Sequence, residues 1–173
     1  MLGSEAEIVD AKRRNRIAEV FLIDRPLSAD DRARLAELPR DRCRVWLEER
    51  SRPLPINPRL RDRLAAANLI IYSPGTQHSS LFPSYLTQDL SRAIASNLTA
   101  IKLLITNIQS DAEITGSSAV DIIERAVHYL KEKSRVPVPT PCLITHYLLN
   151  DPRQAESETA NAAEVIIART PVA

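Results

Sequence analysis

Apolar and polar positions alternate along the middle and end of the chain in blocks that have the lengths of strands and helices. Four short aliphatic runs have the length and composition of strands: 68–72, 100–106, 142–149 and 163–168. Three intervening segments predict helices: 58–67, 83–97 and 117–133. Strands that alternate with helices indicate βαβ units. We therefore expect an α/β fold that is Rossmann-like and three-layered, with a mostly parallel sheet and helices on both faces.

The first part of the chain has a weaker pattern. Three runs suit strands: 5–9, 17–23 and 43–47. Lys12–Arg16 is a basic run that we interpret as a solvated hairpin turn, although its cations also suit contact with phosphate or a partner. Ser28 is followed three residues later by Asp31, which predicts a helix that begins there and ends at Pro39.

Composition and charge exclude several classes of protein. The 173 residues carry a formal net charge of +1, so no overall field indicates binding to nucleic acid or to an anionic membrane. With only 3 glycines, the sequence contains neither a dinucleotide-binding fingerprint nor a P-loop. No apolar run reaches the length of a membrane span, and no targeting segment is visible. We expect a cytoplasmic protein in which Cys43 and Cys142 are reduced, small and buried.

The polar loop that follows the strand at 68–72 is the first candidate site. Ligands of open α/β sheets bind outside the carboxyl ends of the strands, where this loop begins. Ser73–Ser80 contains four hydroxyl side chains, and Gly75 permits a positive φ or a close backbone approach. Ser79, Ser80 and the first amides of the next helix can converge on an anion. A polar turn in which Ser80 caps the helix and Pro83 occupies its first turn explains the same residues equally well.

Other polar residues carry weaker hypotheses. His78 suits a proton shuttle or a phosphate donor, but a solvent-exposed histidine is the more common case. Asp111 and Glu113, in the loop after the strand at 100–106, could hold magnesium, although we favour a solvated acidic loop. Asn107, at the end of that strand, could bind a base, ribose or phosphate, or satisfy loop backbone. Two further histidines are interpreted as structural: His128 in a helix and His146 in a strand.

The candidate loop also resembles a known family. Residues 69–83 resemble the strand and loop written G-P-G-S-x-x-T-S-x-x-P in the 2-phospho-L-lactate transferase (CofD-like) family, which includes the gluconeogenesis-factor branch. Three other segments are similar to family motifs in the same order: 3–22, 105–121 and 147–150. Here Ser73 replaces a family glycine, Thr76 a serine and Ser79 a threonine, so the hydroxyls are kept.

The resemblance implies one domain over residues 1–173 that corresponds to the C-terminal portion of a CofD-like domain. The family's N-terminal G-G-G-T-G loop has no counterpart in this sequence. The resemblance also places a phosphate-bearing nucleotide ligand on six residues: Ser73, Gly75, Thr76, Ser79, Ser80 and Asn107. It implies a partner as well, either a second copy in a homo-oligomer or an N-terminal half supplied in the full-length protein.

Two functions follow from the resemblance, and a third comes from the residues. Family transferases move a phospholactyl group from a guanosine diphosphate donor to a deazaflavin alcohol, with magnesium. The alternative is a non-catalytic regulator of central carbon or cell-wall metabolism that binds a nucleotide sugar in the same crevice. The third is an interaction module with a vestigial half-site. An interaction module should show a large exposed apolar patch.

Overall fold

The computed structural model describes residues 17–106 and 117–149, and it describes the backbone of 166–169. Several sequence predictions fall outside these residues. They are the strand at 5–9, the turn at Lys12–Arg16, Asn107, Asp111 and Glu113.

Three helices form the N-terminal part of the described chain: α1 (Ala29–Glu37), α2 (Arg40–Glu49) and α3 (Pro58–Ala66). The predicted start of α1 is confirmed, because Ser28 Oγ accepts from the Asp31 amide at 3.1 Å and Asp31 Oδ2 accepts from the Ser28 amide at 3.0 Å. The helix predicted at 58–67 is also confirmed as α3, and Asn57 Oδ1 caps its first turn by accepting from the Arg59 amide at 2.9 Å.

Two strand predictions in this region are wrong. Residues 43–47 lie inside α2, where only Trp46 is buried and Arg44 pairs with Glu48 one turn later at 3.1 Å. Helical periodicity therefore fits this segment better than a strand whose alternate residues are buried. The run at 17–23 forms no regular strand, because its only ladder contact in the described chain is an isolated bridge between Ile23 and Ser51.

A four-stranded sheet forms the centre of the fold. Its strands are β1 (Leu69–Tyr72), β2 (Ile101–Ile105), β3 (His146–Leu149) and β4 (Ile166–Arg169), and they lie in that order. β1, β2 and β3 are parallel, and β4 pairs with β3 in the antiparallel direction. Together with the helices around it, this sheet confirms the Rossmann-like α/β class.

In the described residues, helices lie between β1 and β2 and between β2 and β3, and the first of these helical segments has one break. The segment predicted as one helix at 83–97 forms two, α4 (Phe82–Tyr85) and α5 (Leu90–Ser96), because Asp89 adopts a left-handed φ of 63° between them. The helix predicted at 117–133 is confirmed as α6 (Ala119–His128), continued by a π-helical turn at Tyr129–Lys133. The predicted strand at 142–149 begins later, at His146, after a 3₁₀ turn at Thr140–Cys142.

The core lies between these helices and one face of the sheet. Ile70, Tyr72 and Leu104 point into it from β1 and β2, and they belong to one cluster with apolar residues of the helices. On the other face, the side chains of Leu69 and Ile71 remain about half exposed, although we expected helices on both faces. Within the described residues, no helix is both long and apolar enough to cross a membrane.

Candidate functional site

The carboxyl ends of the three parallel strands meet at one edge of the sheet. Tyr72, the last residue of β1, pairs with Leu104 of β2, and Ile105 pairs with Leu148 of β3. Thr106 then donates its amide to the Leu148 carbonyl at 3.0 Å. The loop that starts at Ser73 therefore leaves the same end of the sheet at which β2 ends.

The helix after this loop begins earlier than the sequence suggested. A π-helical turn covers Gln77–Leu81 and leads directly into α4, with Thr76 at the N-cap position. The amides of Ser80 and Leu81 both donate to the Thr76 carbonyl at 3.2 Å. Ser80 is thus inside the helical segment and is not its cap, which corrects that prediction, while Pro83 does lie in the first turn of α4.

Of the two reasons that the sequence offered for glycine at residue 75, the structure excludes the positive φ. Its φ lies outside the left-handed region, and a Cβ at this position would meet Leu81 Cδ2 at 3.8 Å, an ordinary van der Waals contact. The fold itself therefore accommodates a side chain at residue 75. Close approach of a ligand to the backbone remains a reason for glycine here.

The hydroxyl side chains of the loop lie together at the start of the helical segment. Thr76 Oγ1 and Ser80 Oγ are 2.7 Å apart and share a hydrogen bond. Ser80 and Ser73 are exposed, while Thr76 and Ser79 are half-buried. The structure thus brings two of the predicted site hydroxyls, those of Thr76 and Ser80, together at one end of a helical segment, where dipole and amides favour an anion.

Two buried residues anchor this loop to the core. Gln77 is 4% exposed, and its Nε2 donates to the Ile122 carbonyl in α6 at 3.3 Å. His78 is 1% exposed and packs edge-to-face on Phe82 with ring centroids 5.0 Å apart, so our expectation of a solvent-exposed histidine is wrong. Both side chains point away from the solvent that the hydroxyls reach.

An aromatic cluster supports the helical segment. Phe82 is fully buried and stacks on Tyr129 with ring centroids 4.0 Å apart, while Tyr85 packs edge-to-face on Tyr72 at 5.7 Å. Tyr129 Oη accepts from the Val20 amide at 2.8 Å. Burial raises the pKa of Tyr129 to about 12, so this ring stays neutral at ordinary pH.

Sequence reasoning missed this anchoring, although one signal was available. His78, Phe82 and Tyr85 are spaced i, i+4 and i+7, which is the spacing of one helical face. That spacing predicts a helix starting before residue 78. The contact between Gln77 and Ile122 has no comparable signal, because it joins residues 45 positions apart.

The other histidines and Cys43 make contacts with neighbouring residues of the fold. His128 is half-buried, and its Nδ1 lies 2.5 Å from Glu132 Oε2 one turn later. His146 Nδ1 lies 2.9 Å from Thr145 Oγ1. Cys43 and Cys142 are half-buried, less than we expected. Cys43 donates its thiol to the Leu35 carbonyl at 3.1 Å, near the end of α1.

Two cavities lie near α6, and neither displaces the loop as the candidate site. The smaller, of about 220 Å³, is lined by Ala18, His78, Tyr129 and four residues of α6: Asp121, Glu124, Arg125 and His128. The larger, of about 670 Å³, lies between α2 and the C-terminal end of α6 and includes no loop residue.

Charges of both signs line the larger cavity and largely compensate each other. Lys133 Nζ lies 3.2 Å from Glu19, Arg44 bridges Glu19 and Glu48, and His128 contacts Glu132. This ion-pair network explains the polarity of the cavity without a ligand. Its size is therefore a weaker argument for function than the chemistry at the strand ends.

The described side chains do not by themselves form a metal centre. Across residues 17–106 and 117–149, no group of three or more His, Cys, Asp or Glu side chains has the geometry to hold a metal ion. The sequence candidates Asp111 and Glu113 lie outside these ranges. Magnesium binding stays a prediction.

The fold and the loop together define an α/β protein with a polar, hydroxyl-rich loop after its first described strand. A sequence model of the family described as 2-phospho-L-lactate transferase CofD matches residues 33–171. This match includes the loop, all four strands and most of the described helices. The chain belongs to the CofD family, which confirms the resemblance found in the sequence. A search of curated proteins found no match, and neither did a search of solved structures.

Proposed function

We propose that the chain binds a phosphate-bearing nucleotide at the loop Ser73–Ser80, as a CofD-like domain. The observation that carries this proposal is the pair of hydroxyls of Thr76 and Ser80, 2.7 Å apart at the start of the helical segment that follows β1. Hydroxyls and first-turn amides are suitable donors for phosphate oxygens, and a helix N-terminus favours negative charge.

The structure supports separate roles for the residues of the loop. Exposed Ser80 and half-buried Thr76 and Ser79 supply donors, and Gly75 allows a phosphate to approach the backbone. Gln77 and His78 are buried and hold the loop in place. Asn107 follows Thr106 directly in the sequence, and in this proposal it would close the pocket.

Within this proposal, the reaction class is transfer of a phospholactyl group from a guanosine diphosphate donor to a deazaflavin alcohol. Such chemistry consists mainly of positioning and charge neutralisation, for which fixed donors at a loop are suited. Magnesium, when bound, would neutralise charge on the phosphates. The chain's own contribution is to bind and orient the phosphates through the hydroxyls and amides of the loop.

The test is titration of the chain with guanosine diphosphate and uridine diphosphate, followed by amide chemical shifts. We expect perturbations at residues 73–80 that saturate at millimolar ligand. Substitution of Ser79→Ala with Ser80→Ala removes two donors to a charged group, each worth about 1.5–3 kcal/mol, and should abolish binding. Ser96→Ala is a matched control, because Ser96 is an exposed helical serine of α5 whose Oγ donates to the Arg92 carbonyl.

The outcome separates binding from its alternatives. Preference for guanosine diphosphate supports the transferase class, and preference for uridine diphosphate supports the regulator. No shift in a folded chain, or shifts confined to other residues, would overturn the proposal and leave the interaction module.

A further inference from the structure

A proline-rich segment joins α2 to α3. Residues 52–58 have the sequence R-P-L-P-I-N-P, and we call them the proline segment. Each proline ring fixes its own φ at about −65° and restricts the residue before it to the β or polyproline II region. Three residues are restricted in this way: Arg52, Leu54 and Asn57. Asn57 has a φ of −61° and a ψ of 128°, close to polyproline II. The segment is therefore biased toward polyproline II before any partner binds.

The proline segment has one edge on the fold and two edges in solvent. Residues three apart lie on the same edge of a polyproline II helix. Ile56 is 4% exposed and belongs to the core, and Pro53, on the same edge, is exposed but borders the larger cavity. Leu54, by contrast, is 70% exposed. The two outer edges carry only exposed side chains: Arg52, Leu54, Pro55, Asn57 and Pro58.

Backbone hydrogen bonds hold the proline segment on the fold from one side. The Leu54 carbonyl accepts from the Gln88 amide at 2.8 Å, and the Ile56 amide donates to the Gln88 carbonyl at 3.1 Å. Among the described residues, no backbone amide donates to the carbonyl of Pro53 or of Pro55. These two carbonyls are therefore available as acceptors for a partner. Because the segment is already fixed, it loses little conformational entropy when a partner binds.

Positive charge lies at both ends of the proline segment. At its start, Arg52 is exposed, and its Nη1 donates to the carbonyls of Glu49 and Ser51 at 3.0 Å and 2.8 Å. These bonds fix the guanidinium beside the segment and leave the donors of Nε and Nη2 for a carboxylate. At the other end, Arg59 directly follows Pro58 and is also exposed. The charge of this surface therefore favours a partner with acidic side chains.

We propose that the proline segment is a docking site for a peptide-recognition domain that has a groove of aromatic side chains with an acidic pocket beside it. Segments with the pattern P-x-x-P dock in such grooves as polyproline II, as in ligands of SH3 domains. Pro55 and Pro58 supply this pattern, and exposed Leu54 adds an apolar contact. Arg52 lies on the same edge as the two prolines and pairs with the acidic pocket. Ile56 stays in the core of this chain, because its edge does not face the groove.

The test is calorimetric titration of the full chain with an isolated SH3 domain that selects peptides carrying arginine before a leucine–proline pair. Leu54→Ala removes an exposed apolar side chain and should weaken binding about tenfold. Leu98→Ala is the matched control, because Leu98 is 79% exposed and lies outside the proline segment. Arg52→Gln should weaken binding several-fold and reduce its dependence on salt.

Two further measurements do not depend on a variant. The free heptapeptide with the sequence of residues 52–58 should bind the same domain more weakly than the chain does, because the fold already restricts the segment. In the labelled wild type, the bound domain should shift the amides of Arg52, Leu54 and Asn57 more than those of the loop at 73–80.

Three outcomes overturn the proposal. One is a wild type that does not bind the domain at millimolar concentration. Another is binding that Leu98→Ala weakens as much as Leu54→Ala does, since the contact then lies outside the proline segment. The third is a heptapeptide that binds while the folded chain does not, because the fold then blocks the segment.

Discussion

The ammonium group of Lys102 donates to the carbonyl oxygen of Cys142 at 2.7 Å inside the core. Lys102 lies on β2 and is only 1% exposed, so its charge is removed from water. On the neighbouring strand, Tyr72 Oη donates to the next carbonyl, that of Leu143, also at 2.7 Å. Two strands thus hold the turn before β3 through consecutive carbonyl groups.

Burial of Lys102 should make the stability of the fold depend on pH. Desolvation lowers the pKa of Lys102 from its ordinary value of 10.5. Between the lowered value and 10.5, the unfolded chain binds more protons than the folded chain, so the free energy of unfolding rises with pH. Below that window the free energy of unfolding stays at its lower value, because the folded chain must carry a buried charge on Lys102.

Chemical denaturation of wild type and Lys102→Met at several pH values checks this expectation. The difference in the free energy of unfolding should shift in favour of the wild type as the pH rises from neutral toward 10. A difference that is constant with pH would show that Lys102 carries the same charge in both states.

Two buried tyrosines should respond differently to loss of their hydroxyl groups. Tyr72 Oη donates to Leu143, whereas Tyr85 Oη is buried without a hydrogen-bond partner among the described residues. Tyr72→Phe leaves a buried carbonyl without its donor and should lower stability by about 1–3 kcal/mol. Tyr85→Phe removes an unsatisfied polar group and should leave stability unchanged or raise it.

Thermal unfolding of the two variants measures this contrast, with each serving as the control for the other. Burial raises the pKa of both tyrosines, so the folded state loses stability as the pH rises above about 10. Each Phe variant should reduce that alkaline loss. Equal destabilisation of both variants at neutral pH would contradict the structure.

Gly75→Ala separates the needs of the fold from those of a ligand. The new Cβ would be in ordinary contact with Leu81, and the backbone is not left-handed, so the variant should fold with stability unchanged or raised by about 0.4–1 kcal/mol. If a phosphate approaches the backbone at this point, the same methyl group should weaken guanosine diphosphate binding several-fold. Calorimetric melting and amide titration measure the two effects independently. Full binding by a stable variant would argue against close approach at residue 75.

The sequence predicted best where periodicity and local capping decide the structure. β1, β2, α3 and α6 follow from aliphatic runs and helical spacing, and the start of α1 follows from the cap at Ser28. The loop was found in the same way, because it follows a buried strand. The family motif then strengthened that choice.

The wrong sequence predictions have physical causes that the local pattern of apolar and polar residues does not show. Trp46 belongs to a helix with one buried residue, a case in which a short apolar run resembles a strand. Asp89 interrupts the helix because it adopts a left-handed φ, and the neighbouring residues do not predict that conformation. The burial of His78 depends on Phe82 and Tyr129, and the second of these is distant in sequence.

The contact between Gln77 and Ile122 should couple the loop to α6. Gln77 Nε2 donates to the Ile122 carbonyl, while its Oε1 is buried without a hydrogen-bond partner among the described residues. Gln77→Met keeps the volume, removes one hydrogen bond and removes one unsatisfied oxygen, so its stability should stay within about 1 kcal/mol of the wild type.

With the wild type, phosphate ligands at residues 73–80 should also shift the amides in the first turns of α6. In Gln77→Met, the loop shifts should persist while those in α6 diminish, as measured by the same amide titration. Gln88→Met, at an exposed glutamine, should leave both sets unchanged. Undiminished α6 shifts in Gln77→Met would show that the coupling passes through other contacts.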